Sequence, residues 1–149
     1  MCLFKINLSN CIQINDKMEN LNLKYTPQTP SINFDATSGV MEIKGRCIPD
    51  QPDEFWGEVL LWFDAYIQTP CKQTTFIINL EYFNISSSKR ILFLLYKLNE
   101  LIQNGFEAKV DWYYRENEDD MFEVGQDYAY MVKVPFNFYT YDELDLVSA

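Results

Sequence analysis

The spacing of apolar positions changes several times along the chain, and each change marks an element. From Leu23 an extended pattern begins, broken by Pro27 and Pro30. Ile32 and Phe34 then alternate with polar neighbours, Asp35 to Gly39 supplies turn chemistry, and Val40 to Gly45 alternates again. Period two on both sides of a turn predicts a β-hairpin at the edge of a sheet. Beyond Pro49, Asp50 and Pro52 the period lengthens. Phe55, Val59, Phe63 and Tyr66 share one helical face, with Leu60 and Ile67 beside them. This predicts a helix from Glu54 to Gln68, capped by Asp53 and ended by Pro70. Thr74 to Leu80 is a nearly unbroken β-branched and apolar run, the pattern of a strand covered on both faces. A second helix is predicted up to Asn104, with a wide stripe of Ile91, Leu94, Leu95, Leu98, Leu101 and Ile102, and Gly105 just past its end. Phe106 to Tyr114 reads as a strand with Trp112 and Tyr114 on one face and Tyr113 on the other. An acidic turn, Glu116 to Asp120, leads into a third helix, Met121 to Met131. Pro135 breaks that helix, and Phe136 to Tyr141 reads as the last strand.

Strands separated by helices of this size favour parallel neighbours joined by right-handed crossovers. The fold class expected is therefore α/β: a single mixed sheet with a parallel core and an edge β-hairpin, packed with three helices. Residues 18–142 are expected to form one domain, and 143–149 a tail. Residues 1–17 look unlike the rest. They read either as a disordered extension or as the product of an upstream start, since Met18 followed by Glu19-Asn20-Leu21 is itself a reasonable beginning.

Composition narrows the function more than the fold. Of 149 residues, 48% are apolar and 16% aromatic, far more than a disordered chain carries. The formal net charge of −10 repels phosphate backbones and anionic lipid, which disfavours nucleic-acid and membrane-surface partners. No run is long enough to span a membrane, and the first ten residues lack the pattern of a signal peptide, so a cytoplasmic location is expected. The chain has no His, which removes the commonest general base and metal ligand. Cys2, Cys11, Cys47 and Cys71 form no Cys-x-x-Cys pair and no zinc spacing, so they read as reduced, structural thiols. No phosphate-binding glycine loop or nucleophile elbow is present. No catalytic residue, metal site or cofactor is assigned.

Three stretches remain as candidates. Asn84 to Lys89 places Ser86, Ser87 and Ser88 between a strand and an amphipathic helix. Free N–H groups and the helix dipole favour a negative group there, and phosphorylation would add nearly two charges. Serines are also good helix caps, and on spacing alone Asn84 or Ser86 reads first as the cap of this helix. Glu116, Glu118, Asp119, Asp120 and Glu123 are dense enough to suggest a hard cation, but they lack EF-hand spacing and suit a helix's first turn. The aromatic set Trp112, Tyr113, Tyr114, Phe122, Tyr128 and Tyr130 reads mainly as core.

From Met18 to Asp142 the sequence resembles the SiaC family of bacterial regulatory phosphoproteins. The resemblance rests on Thr29-Pro30 with Phe34-Asp35, Gly39 to Gly45, the Pro49 loop, Phe55 with Trp62, and Leu80 to Lys89. Gly105 to Tyr114, the acidic stretch through Glu123 to Gly125, and Pro135-Phe136 complete it. It implies a STAS-like layout and a partner-switching role. Such a protein is phosphorylated by a GHKL-type Ser/Thr kinase, dephosphorylated by a PP2C-like phosphatase, and binds an effector such as a diguanylate cyclase. It also implies a phospho-acceptor Thr directly after the Asn of an Asn-Thr-Ser-Ser motif. Here Asn84, Ser86, Ser87 and Lys89 match, but Ile85 stands at the acceptor position and has no hydroxyl. Two readings stay open. Either the acceptor has moved to Ser86 or Ser87, or the protein binds its partner without phosphorylation control; in both, Asn84, Ile85, Ser88 and Lys89 are the expected binding residues of the switch loop.

Overall fold

The computed structural model describes residues 18–142. The expected extension over 1–17 and the tail over 143–149 lie outside the described residues. In chain order the elements are β1 (Leu21–Leu23), β2 (Ser31–Asp35), β3 (Val40–Cys47), α1 (Pro52–Tyr66), β4 (Gln73–Phe83), α2 (Ile85–Gln103), β5 (Glu107–Arg115), α3 (Asp119–Met131) and β6 (Phe136–Tyr141). The six strands form one sheet in the order β1-β2-β3-β4-β5-β6, antiparallel from β1 to β3 and parallel from β3 to β6.

The antiparallel edge is one strand wider than the predicted hairpin. Asp35 holds the β2–β3 turn, its carboxylate accepting from the N–H of Thr37 at 2.9 Å and of Ser38 at 3.3 Å. Those bonds favour the charged form and hold its pKa below the usual value. The strand-like pattern assigned to Leu23 onward belongs to β1, which pairs Leu21 with Phe34 and Leu23 with Ile32. It therefore covers the outer edge of β2.

A second correction concerns β4. The run from Thr74 to Leu80 is not covered on both faces. Thr74, Phe76, Ile78 and Leu80 are buried, whereas Thr75, Ile77 and Asn79 are only half-buried. The cause is topological. Each parallel strand is added beside the previous one in a single direction, and crossovers are right-handed. All three helices therefore fall on the same side of the sheet, and the opposite side stays open.

The helix boundaries also shift. Asp53 does not cap α1. Pro52 takes the first helical position, where its fixed φ suits the helix and its missing N–H costs nothing, and Gln51 is the N-cap without a side-chain bond. The buried face of α1 is Trp56, Val59, Phe63 and Tyr66, with Phe55 only half-buried. Between helices and sheet lies one core, in which Phe34 meets the rings of Phe63 and Phe76 edge-on. Gly125 brings α3 against β5 and β6: a Cβ there would stand 2.7 Å from Trp112 Nε1 and 2.8 Å from the Phe138 ring.

Candidate functional site

The serine-rich turn lies at the C-terminal end of β4, where the chain leaves the sheet for α2. Asn84 is extended and caps the helix as predicted. Its Oδ1 accepts from the Ser87 N–H at 3.0 Å and from the Ser86 hydroxyl at 3.1 Å. Its own N–H donates to the Cys47 carbonyl at 3.2 Å, which ties the turn to β3.

The residues that follow point in different directions. Ile85 is 77% exposed. Ser86 is half-buried beside it. Ser87 is fully buried, and its Oγ accepts from Trp56 Nε1 and from Cys47 Sγ, each at 3.2 Å. Burial pushes the Cys47 thiol up to about 11, so it stays protonated and able to donate at neutral pH. Ser88 closes on its own turn, its hydroxyl donating to the Ile85 carbonyl at 2.7 Å, while its carbonyl accepts from Tyr128 OH at 2.9 Å. Lys89 is exposed and makes no ion pair among the described residues. Arg90 donates to the Ser86 carbonyl at 3.0 Å and pairs with Asp53 on α1.

Between α1 and α2 these side chains border a groove of about 460 Å³ lined by Leu60, Ser86, Lys89, Arg90 and Phe93. Ile85, Phe93 and Tyr96 form an exposed apolar stripe along α2. Sequence reasoning missed this stripe. The signal was available, since Phe93 and Tyr96 fall outside the Ile91-Leu94-Leu95-Leu98 core face.

The electrostatics single out α2. The first turns of α1 and α3 carry acidic residues, Asp53 with Glu54 and Asp119 with Asp120. The first turn of α2 carries none, in a chain of net charge −10. Its free N–H groups, with Lys89 and Arg90 on the next turn, form a positive end that a phosphoryl group or a partner's carboxylate would complement.

The other candidates resolve differently. Asp119 and Asp120 are ordinary first-turn acids of α3, and no group of acidic or Cys side chains suited to a metal ion occurs among the described residues. Trp112 and Tyr128 are core. Tyr114 packs on Phe122 at 5.0 Å, Tyr113 stacks on Tyr139 at 5.0 Å on the open face, and Tyr130 is exposed. No helix among the described residues is long and apolar enough to cross a membrane.

Residues 23–141 match the model of the SiaC family of regulatory phosphoproteins. An uncharacterised protein of Pseudomonas aeruginosa strain UCBPP-PA14 is 25% identical over 126 residues, which is 85% of this chain and all of that protein. Among solved structures, apo-SiaC from Pseudomonas aeruginosa superposes with a TM-score of 0.75 at 24% identity, over 82% of this chain and 99% of that one. A chain in the crystal structure of the diguanylate cyclase SiaD in complex with its activator SiaC, from the same organism, superposes with a TM-score of 0.77 at 24% identity. It covers 81% of this chain and 99% of that one. At this identity the superpositions establish a shared fold.

Proposed function

The chain belongs to the SiaC family of regulatory phosphoproteins, proteins that act by binding rather than by catalysis, and from that premise we propose that it is a cytoplasmic partner-switching regulator whose working surface is the start of α2. Its effector is a diguanylate cyclase, the class of protein with which SiaC of Pseudomonas aeruginosa is found in complex as activator. The observation that carries this reading is the first turn of α2, alone among the three helices of the described residues in carrying no acidic residue and flanked by Lys89 and Arg90.

Ser86 is the phospho-acceptor in this reading, modified by a GHKL-type kinase and restored by a PP2C-like phosphatase. Ser86 lines the groove with Lys89 and Arg90, its hydroxyl donating to Asn84 Oδ1. A phosphoryl group there would gain the dipole and both cations. Ser87, buried under Trp56, is its structural neighbour. Phosphopeptide mapping on protein taken from its native cell with phosphatases inhibited tests this assignment. Phosphate on Ser86 in some growth states supports it; none in any state overturns it.

One observation favours a second reading. Ile85 presents an apolar side chain at the position where the family resemblance expects the acceptor, and it continues the Phe93–Tyr96 stripe. In that reading the same surface binds the cyclase constitutively. Cyclase activation by this protein, measured with Ser86→Ala and Ser86→Asp, separates the two. A loss in the Asp variant alone supports the switch; equal activation by both supports constitutive binding.

A further inference from the structure

The open face of the sheet contains a cleft of its own. β4 pairs with β5 only from Gln73–Glu107 to Asn79–Tyr113, while β5 continues beside β6 to Arg115–Tyr141. Past Asn79 the two central strands part at their C-terminal ends. On its other side β4 slips register against β3: Gly45 faces Leu80 and Arg46 faces Tyr82, leaving Glu81 opposite no residue. Such a bulge re-aims a side chain. Glu81 lines a cleft of about 210 Å³ with Tyr25, Ser31, Lys44, Asn79 and Tyr141. Gly45 completes the wall. Its φ is +126°, and a Cβ there would stand 3.2 Å from the Tyr25 ring and 3.3 Å from Pro30 Cα, so glycine lets the β1–β2 loop lie close.

The Ser31 hydroxyl donates to the Lys44 carbonyl at 3.2 Å, but three other polar side chains of this cleft make no such bond. Among the described residues no ion pair or side-chain hydrogen bond engages Lys44 Nζ, the Asn79 amide or the Glu81 carboxylate. A separate recess of about 10 Å³, room for about one water, is bordered by Glu81, Tyr141 and Arg115, whose Nε is buried without a hydrogen-bond partner among the described residues. A buried donor left unpaired is costly, and a water in that recess would relieve it.

We propose that this cleft binds a small zwitterion with the charge pattern of a free α-amino acid, its ammonium on Glu81 and its carboxylate on Lys44, with Asn79 between them. Opposite charges held on adjacent strands without pairing fit a ligand that carries both signs, and the volume suits one smaller than a drug-sized molecule.

The test is titration of the full chain, isotopically labelled, with soluble α-amino acids one at a time, read by amide chemical shifts. The expected result is a saturable shift confined to Ser31, Lys44, Gly45, Asn79 and Glu81. It should be lost when the ligand is N-acetylated or α-amidated, and in Glu81→Gln and Lys44→Met. Both side chains are exposed, and an unchanged spectrum away from the cleft confirms that the variants fold. No saturable shift up to about 10 mM, above the millimolar range of weak specific ligands, overturns the proposal. Equal binding of the N-acetylated compounds, or undiminished binding by both variants, does so too. The inference is independent of the partner surface on α2, and neither substitution touches that groove.

Discussion

Replacing Ser87 by alanine should destabilise the fold by about 1–3 kcal/mol, because it strands the indole N–H of Trp56. The estimate follows from the site. Ser87 Oγ is the acceptor for Trp56 Nε1 and for Cys47 Sγ, in a spot where Ser87, Trp56 and Cys47 are all fully buried. Losing one oxygen leaves too little space for a water, so the cost is a donor without an acceptor rather than a cavity. The thiol adds little, being a weak donor. At about 4 °C per kcal/mol for a domain of this size, Tm should fall by roughly 4–12 °C. Urea denaturation is the assay, with an unchanged m value required for the comparison. A loss below about 0.5 kcal/mol, the scatter of neutral substitutions, would refute the reasoning and mean that Trp56 finds another acceptor. Adding Trp56→Phe gives an internal check. Phenylalanine needs no acceptor, so the double variant should be more stable than the two single losses predict, with a coupling of about 1 kcal/mol. The result bears on function: partner binding lost in Ser87→Ala would report a damaged helix start, whereas Ser86→Ala, losing only a half-buried hydroxyl bonded to Asn84, tests the switch cleanly.

Three further outcomes follow from the same geometry. Ile85→Asp should leave Tm within about 2 °C, since the side chain is 77% exposed, yet weaken cyclase binding at least about tenfold if that side chain anchors the partner; a thermal melt reads the first and calorimetric titration against the purified cyclase the second. Gly125→Ala should cost about 1–3 kcal/mol or more, because its Cβ would lie 2.7 Å from Trp112 Nε1; chemical denaturation measures it, and a neutral result would mean that α3 shifts freely on the sheet. Stability should fall as pH rises from about 9 towards 12. Burial pushes Cys47 up to about 11 and both Tyr66 and Tyr128 up to about 12, so the unfolded chain loses these protons first, and the stability they contribute is complete below the unfolded values and gone above the folded ones. Denaturation midpoints at pH 8, 9.5 and 11 check it, and a flat profile would contradict it.

Element identities were legible because they depend on local period. β6 falls at Phe136–Tyr141 as read, Asn84 caps α2, and Trp112 and Tyr114 share the helix side. What escaped reading depends on long-range placement. The run from Thr74 to Leu80 carries apolar and β-branched residues on both sides, and only the one-directional order of β3 to β6 shows that one side is open. The N-terminus of α1 was misread because Asp53 and Pro52 are both good helix starters, and proline at the first helical position took precedence. At the candidate site, the serines were visible but their division of labour was not. Ser86 and Ser87 are adjacent in sequence, yet α2's rotation turns one towards the groove and the other under Trp56.

One-directional crossovers have a consequence beyond burial. Because the strands they join are also parallel, the N-termini of all three described helices lie on one face and at one end of the sheet, the end where β4 and β5 part. A chain of net charge −10 has ample carboxylates to quench three helix dipoles, and at α1 and α3 it does so. At α2 it supplies Ser86, Lys89 and Arg90 instead. Stability alone would favour an acid in that turn by about 0.3–1 kcal/mol. Placing Glu there, as Ile85→Glu, should therefore raise stability slightly while impairing partner binding. If it raised both, the vacant dipole would be no part of the interface, and the reading of α2 as the working surface would fall.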